Sequence, residues 1–168
     1  MLDAGGPASA EETTTQAIDA AINYLSYRQR TCHEVRRRLI DRGFDEETIE
    51  AAMRRLENVG LVDDDAFVAA YVRDRVAHRP MGVRRMAQEL YAKGVTRDDA
   101  LPLIDEALQQ EGTDEITLAR RVAEKKCGAL RKRNEDSALT RKRLRDHLLR
   151  RGFDGRIVQG VLDEVLPR

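Results

Sequence analysis

Tryptophan is absent from this sequence, and only seven of its 168 residues are aromatic. Ala, Leu, Arg and Glu dominate instead; these are strong helix formers because unbranched side chains lose little rotamer freedom in a helix. The composition therefore argues against a large sheet protein. No apolar run approaches the ~20 residues that span a bilayer, so no membrane partner is expected. The opening residues MLDAGGPASAEETTT have neither the basic start nor the apolar stretch of a signal peptide. Cysteine is scarce as well. Cys32 and Cys127 stand 95 positions apart with no C-x-x-C pairing, which indicates neither a disulfide framework nor a zinc site. A reducing cytoplasm is the expected setting.

Net charge is missing too, since 30 Lys and Arg balance 30 Asp and Glu. Charged residues nevertheless make up 36% of the chain, against roughly 25% in an average globular protein. They are sorted along it. Residues 28–42 carry six basic and two acidic side chains, and residues 45–65 carry two basic and eight acidic. Residues 73–97 hold seven basic and two acidic, while 98–115 hold seven acidic and none basic. Residues 120–151 then reach a net charge of +9. The alternation has the form of a repeated unit with one basic and one acidic element.

Three glycines bring the repeat into register: Gly43, Gly94 and Gly152, at spacings of 51 and 58 residues, which suit a helical array. Eight positions before each stand Val35, Met86 and Leu144, four before stand Leu39, Leu90 and Leu148, and three before stand Ile40, Tyr91 and Leu149. These offsets predict one apolar stripe on a helix. After the glycine, the columns Ala52/Leu103/Val161, Met53/Ile104/Leu162 and Leu56/Ala107/Val165 continue at helical spacing. A glycine just past a helix takes the left-handed conformation that ends it, so Gly43, Gly94 and Gly152 are read as structural turns. Asp45, Thr96 and Asp154 are the expected caps of the helices that follow.

A third helix precedes each pair. Ile18, Ala21, Ile22 and Leu25 form its stripe in the first unit, with Thr31 and Glu34 a capping box for the next helix. Phe67, Ala70 and Tyr71 do the same in the second, and Ala119, Val122 and Ala123 in the third. The fold expected is all-α, with nine helices in three tandem three-helix repeats over 14–60, 61–110 and 111–168, after a disordered tail of residues 1–13. Pro102 predicts a late helix start at Asp98 or Asp99, because its missing N–H is tolerated only in a first turn. Gly128 and the polar run 131–137 predict an exposed connection or a frayed helix end.

Catalysis finds little footing. His33, His78 and His147 are scattered, no serine or cysteine has the setting of a nucleophile, and no phosphate-cradling loop is present. Asp63, Asp64 and Asp65 sit where a helix dipole favours negative charge. No catalytic residue, cofactor or metal is expected. The basic residues say more, for Arg outnumbers Lys 25 to 5, and guanidinium groups bind phosphate or carboxylate through a planar fork. The candidate partner- or DNA-binding residues are Arg131, Lys132, Arg133, Lys142, Arg143, Arg150 and Arg151, with Arg37, Arg38, Arg84 and Arg85 in the earlier basic segments. Arg143 and Arg150 fall opposite the apolar stripe of their helix.

From Ala17 to Leu166 the chain resembles the RecX family. The resemblance rests on Tyr24–Leu25, Glu34 and LIDRGFDEETI, then LVDDDAFVAAYV, QELYAKGV and LLRRGF in that order and spacing. Met81–Gly82–Val83 departs from the Gly-Pro that often opens the family's middle unit. The resemblance implies an elongated, curved array of three-helix units that binds along the RecA–DNA filament. It implies a non-enzymatic regulator, usually an inhibitor, of RecA recombinase and ATPase in recombination, DNA repair and the SOS response. The expected partners are the RecA filament and, through the basic surface, single-stranded DNA, with the protein a monomer. The alternatives are a helix-turn-helix protein acting on duplex DNA without RecA, and a helical scaffold for another acidic partner.

Overall fold

The computed structural model describes residues 9–131 and 136–166, with the side chain of Arg131 left out. Among the described residues the chain forms nine helices and no strand. They are α1 (Ala10–Leu25), α2 (Cys32–Asp41), α3 (Glu46–Asn58), α4 (Asp64–His78), α5 (Val83–Tyr91), α6 (Arg97–Gln110), α7 (Glu115–Arg131), α8 (Ser137–Arg150) and α9 (Gly155–Val165). In chain order they form three sets of three. Two compact units divide them: one holds the chain up to Phe67 together with Lys93–Val95, the other Val68–Ala92 and everything from Thr96 on.

In the first unit, Ala17 and Ala21 of α1, Val35 and Leu39 of α2, and Ile49, Met53 and Leu56 of α3 share one core. In the second, Met86 and Leu90 of α5, Ile104 of α6, Leu144 and Leu148 of α8, and Leu162 of α9 are equally shielded. Leu39, Leu90 and Leu148 are each fully buried at matching positions of their repeats. Burying a leucine is worth about 1.5–3 kcal/mol, so this column contributes substantially to each repeat.

The turns follow from local chemistry. Gly43, Gly94 and Gly152 have φ of +86°, +89° and +82°. Behind Gly43, the Phe44 amide donates to the Leu39 carbonyl at 3.3 Å, and behind Gly152 the Phe153 amide donates to Leu148 at 3.3 Å. These bonds satisfy carbonyls that a helix end leaves unpaired. Asp45, Thr96 and Asp154 cap α3, α6 and α9 through their side-chain oxygens. Gly60 and Gly112 make two further left-handed turns, after α3 and α6.

The second helix of a repeat begins against residues of the next repeat. At α2, the Cys32 amide donates to Asp64 Oδ1 at 2.8 Å, and the buried Thr31 hydroxyl donates to the Lys93 carbonyl at 2.6 Å. At α5, the Val83 amide donates to Glu115 Oε1 at 3.1 Å, and the Gly82 amide to the Arg151 carbonyl at 2.9 Å. Asp64 and Glu115 are the first residues of α4 and α7, and Lys93 and Arg151 each precede a turn glycine. The same clasp thus occurs once within each unit.

Several expectations are corrected. The disordered tail cannot extend to residue 13, because Ser9 and Glu12 form a reciprocal capping box and α1 starts at Ala10; residues 1–8 lie outside the described residues. Helix α6 does not start late. Thr96 caps it by accepting from the Asp99 amide at 3.3 Å, and Pro102 sits inside it. Pro102 and Asp98 are exposed, so water can satisfy the carbonyl that the missing N–H leaves open. Gly128 is no connection but lies within α7, whose Cys127 and Leu130 are buried on either side of it. Residues 132–135 of the expected connection lie outside the described residues. Ile22 leaves the stripe of α1, where Thr14, Ala17 and Ala21 face the core.

The column three before each glycine is the largest departure. Ile40, Tyr91 and Leu149 are 57%, 68% and 45% exposed. Each follows a fully buried leucine on a helix that turns about 100° per residue, which carries it past the edge of the buried face.

Candidate partner-binding surface

On α5, Met86, Ala87 and Leu90 face the core, which turns Arg84, Gln88 and Tyr91 outward on one stripe. Gly82 starts the helix, and the turn at Gly152 lies directly against that start. Arg85 fixes the contact: its Nη1 donates to the Arg150 carbonyl at 3.0 Å, and its Nε pairs with Glu89 at 3.2 Å. Glu89 also receives the Tyr71 hydroxyl at 2.7 Å and Arg75 Nη2 at 3.1 Å. Burial raises the Glu89 carboxyl pKa, and the bonds from Tyr71, Arg75 and Arg85 outweigh this and hold it below the usual glutamate value. That carboxylate stays ionised and keeps Arg85 in place.

A cleft of about 1030 Å³ results, lined by Arg84, Arg85, Arg97 and Arg150 with Tyr91 and Leu149 between them. Arg84, Arg97 and Arg150 make no ion pair among the described residues, unlike Arg85. The surface therefore offers three guanidinium forks beside an exposed aromatic ring and an aliphatic side chain. Such a set suits a polyanion or an acidic protein face, with apolar contacts to add area.

Of the residues singled out from the sequence, the structure gathers Arg84, Arg85 and Arg150 here. Arg37 and Arg38 are exposed on α2 in the first unit, with the Arg38 guanidinium 5.6 Å from the centre of the Tyr24 ring. Lys142 and Arg143 are exposed on α8. Arg151 is half-buried and donates through Nη1 to the Pro80 carbonyl at 2.7 Å. Lys132, Arg133 and the Arg131 side chain lie outside the described residues. Sequence reasoning missed Arg97, Tyr91 and Leu149. Tyr91 and Leu149 read as core from their apolar character, and Arg97 closes a basic segment just after a capping threonine; the one signal for the apolar pair is its position one residue past the buried column.

The Cys32 thiol is pushed up to about 12 by burial and by the carboxylates of Asp64 and Glu57, so it stays protonated at neutral pH. Among the described residues no group of three His, Cys, Asp or Glu is placed to hold a metal ion. No helix among them is long and apolar enough to cross a membrane.

Comparison with known proteins is consistent along the chain. Residues 17–56 match the first three-helix domain of RecX, residues 63–108 the second and residues 113–162 the third. "Regulatory protein RecX" of Prosthecochloris aestuarii is 35% identical over 156 residues, covering 93% of this chain and 97% of that one. Its counterpart in Amycolatopsis mediterranei is 34% identical over 158 residues, covering 93% and 86%. The crystal structure of RecX from Lactobacillus salivarius has the same fold, with a TM-score of 0.78 at 24% identity over 92% of this chain and 97% of that one. Three domains matched in order, on nine helices grouped in threes, lead to one conclusion: the chain belongs to the RecX family of regulatory proteins.

Proposed function

We propose that this protein is a non-enzymatic regulator that binds the RecA–DNA filament and lowers RecA recombinase and ATPase activity. The ordered match of all three RecX domains over residues 17–162 carries the reading. The name of the family's relatives supplies the regulatory role, and the Arg84/Arg97/Arg150 cleft supplies a surface for an acidic or phosphate-bearing partner. Tandem units favour a filament target, because a repeating partner lets each weak contact raise the effective concentration for the next. In this reading the protein acts as a monomer in the cytoplasm, and single-stranded DNA within the filament is a second partner of its basic surface.

The test is RecA ATP turnover on single-stranded DNA, followed over time after this protein is added. Turnover should fall as the protein is raised to micromolar concentration. An unchanged rate would overturn the proposal, and tight binding to duplex DNA alone would favour the helix-turn-helix alternative in its place.

A further inference from the structure

A second cleft in the second unit, of about 520 Å³, is lined by the end of α4, the middle of α7 and the last turn of α8. Five of its lining side chains are cations: Arg79, Arg121, Lys125, Lys126 and Arg151. His78 and His147 are the only other ionisable groups in the lining, and no carboxylate joins them. The chain carries as many acids as bases, and elsewhere arginines are paired with carboxylates: Arg36 with Glu50, Arg75 with Glu89, Arg120 with Glu164 and Arg141 with Asp163. The five cations of this cleft make no ion pair among the described residues. An ordinary solvated face would intersperse the two signs, so the sorting needs another account.

Two of the guanidiniums are also fixed in place. Arg121 donates through Nη2 to the Val76 carbonyl in the last turn of α4. Arg151 donates through Nη1 to the Pro80 carbonyl at 2.7 Å. A guanidinium has five N–H donors, and each of these two spends one on a carbonyl. The forks are thereby oriented before any ligand arrives, which lowers the entropy lost on binding. Lys125 and Lys126 stand on the neighbouring turn of α7 as point charges on four-carbon stems.

We propose that this cleft is a phosphate-binding site, gripped by the Arg121 and Arg151 forks and neutralised by Lys125, Lys126 and Arg79. The phosphate comes either from a nucleic-acid backbone or from a free phosphate compound, and both present the same oxygens to the forks. His147 reports on the field. It is half-buried, and burial followed by the charges of Arg151, Lys126 and Arg150 depresses its pKa. An anion seated in the cleft offsets those charges and raises it.

The experiment uses the whole chain without RecA, so its result is separable from the filament reading. The imidazole proton resonance of His147 is titrated alone, with pyrophosphate, and with a short oligodeoxythymidylate. His147 is assigned from the variant His147→Gln. Binding should raise the His147 pKa by about one pH unit. A response to pyrophosphate places the source in free phosphate compounds, and a response to the oligonucleotide alone places it in the nucleic-acid backbone. No movement with either probe overturns the site. Lys125→Glu with Lys126→Glu, two side chains that hold no part of the fold, should weaken oligonucleotide or pyrophosphate binding roughly tenfold. Binding equal to wild type in that variant would overturn it as well.

Discussion

The backbone of Gly82 lies so close to that of Gly152 that a Cβ on Gly82 would stand 2.1 Å from the Gly152 carbonyl oxygen. Gly82 has an ordinary φ of −72°, so space and not conformation demands glycine there. Gly43 is the converse: φ is +86° and nothing lies within 4 Å of an added Cβ. Gly43→Ala should cost about 1 kcal/mol through backbone strain. Gly82→Ala should cost more, about 3 kcal/mol, because the obstructing atoms are backbone and cannot rotate away. Urea unfolding of the two variants decides it, and equal costs would refute the close-approach argument.

Glu34 and Glu115 should give the stability curve opposite slopes. Burial raises the Glu34 carboxyl pKa, but bonds from Arg28 and the Thr31 amide and the charge of Lys93 lower it further, leaving it below the ordinary 4.5. The folded state then binds fewer protons, so Glu34 contributes stability above pH 4.5 that is lost as pH falls through its folded pKa. Glu115 is raised, mainly by burial, despite the bonds it accepts from Val83 and Asp154. Its contribution is complete below pH 4.5 and declines as pH rises through its folded value. Because Gln mimics a protonated carboxyl, Glu34→Gln and Glu115→Gln should both track wild type in acid and diverge toward neutral pH. There Glu34→Gln should fall below wild type in unfolding free energy and Glu115→Gln should rise relative to it.

Asp64 should behave as a cap supplied from a distance. Asp64→Ala removes the acceptor of the Cys32 amide and should cost about 1 kcal/mol, while Asp64→Asn keeps an oxygen there and should cost little. Both changes should lower the Cys32 thiol pKa, since the Asp64 charge helps to raise it. Maleimide labelling against pH reads the thiol directly.

Charge on the α5 cleft should govern partner binding. Arg84→Glu with Arg150→Glu should weaken RecA inhibition, most strongly at low salt, because exposed charges are screened beyond about 8 Å at physiological ionic strength. Arg54→Glu, in an acidic stretch of the first unit, is the matched control and should change little. Inhibition unaltered across a salt series would remove the cleft from the binding surface.

The fold was legible where it is written in local chemistry. Leu39, Leu90 and Leu148 stand at a constant distance from a turn glycine, and the Thr31–Glu34 box is visible as a spacing. Pro102 misleads because its missing N–H argues for a late start, whereas Thr96 caps the helix and the open carbonyl falls on Asp98, which is exposed to water. Ile40, Tyr91 and Leu149 misled because apolar character was equated with burial, although the buried leucine beside each had already used the core face. The pairing of Asp64 with Cys32, and of Glu115 with Val83, has no local signature, since each joins residues 32 positions apart. The candidate site suffered the same way. Arg84 and Arg150 were found singly, but only the folded chain shows that they share a cleft with Arg97.

The clasp at the start of α2 also has a direction in time. Its partners, Asp64 and Lys93, lie 32 and 62 residues downstream of the groups they meet. A ribosome makes α2 first and its caps later, so the nascent helix must wait on the local Thr31–Glu34 box until the following repeat emerges. The start of α5 waits in the same way for Glu115 and Arg151. Among the described residues helix α8 shows no such delivery, and Asp136 holds the Ala138 and Leu139 amides at its own doorstep. Synthesis thus runs through two provisional helix starts to a third that is finished as soon as it is made.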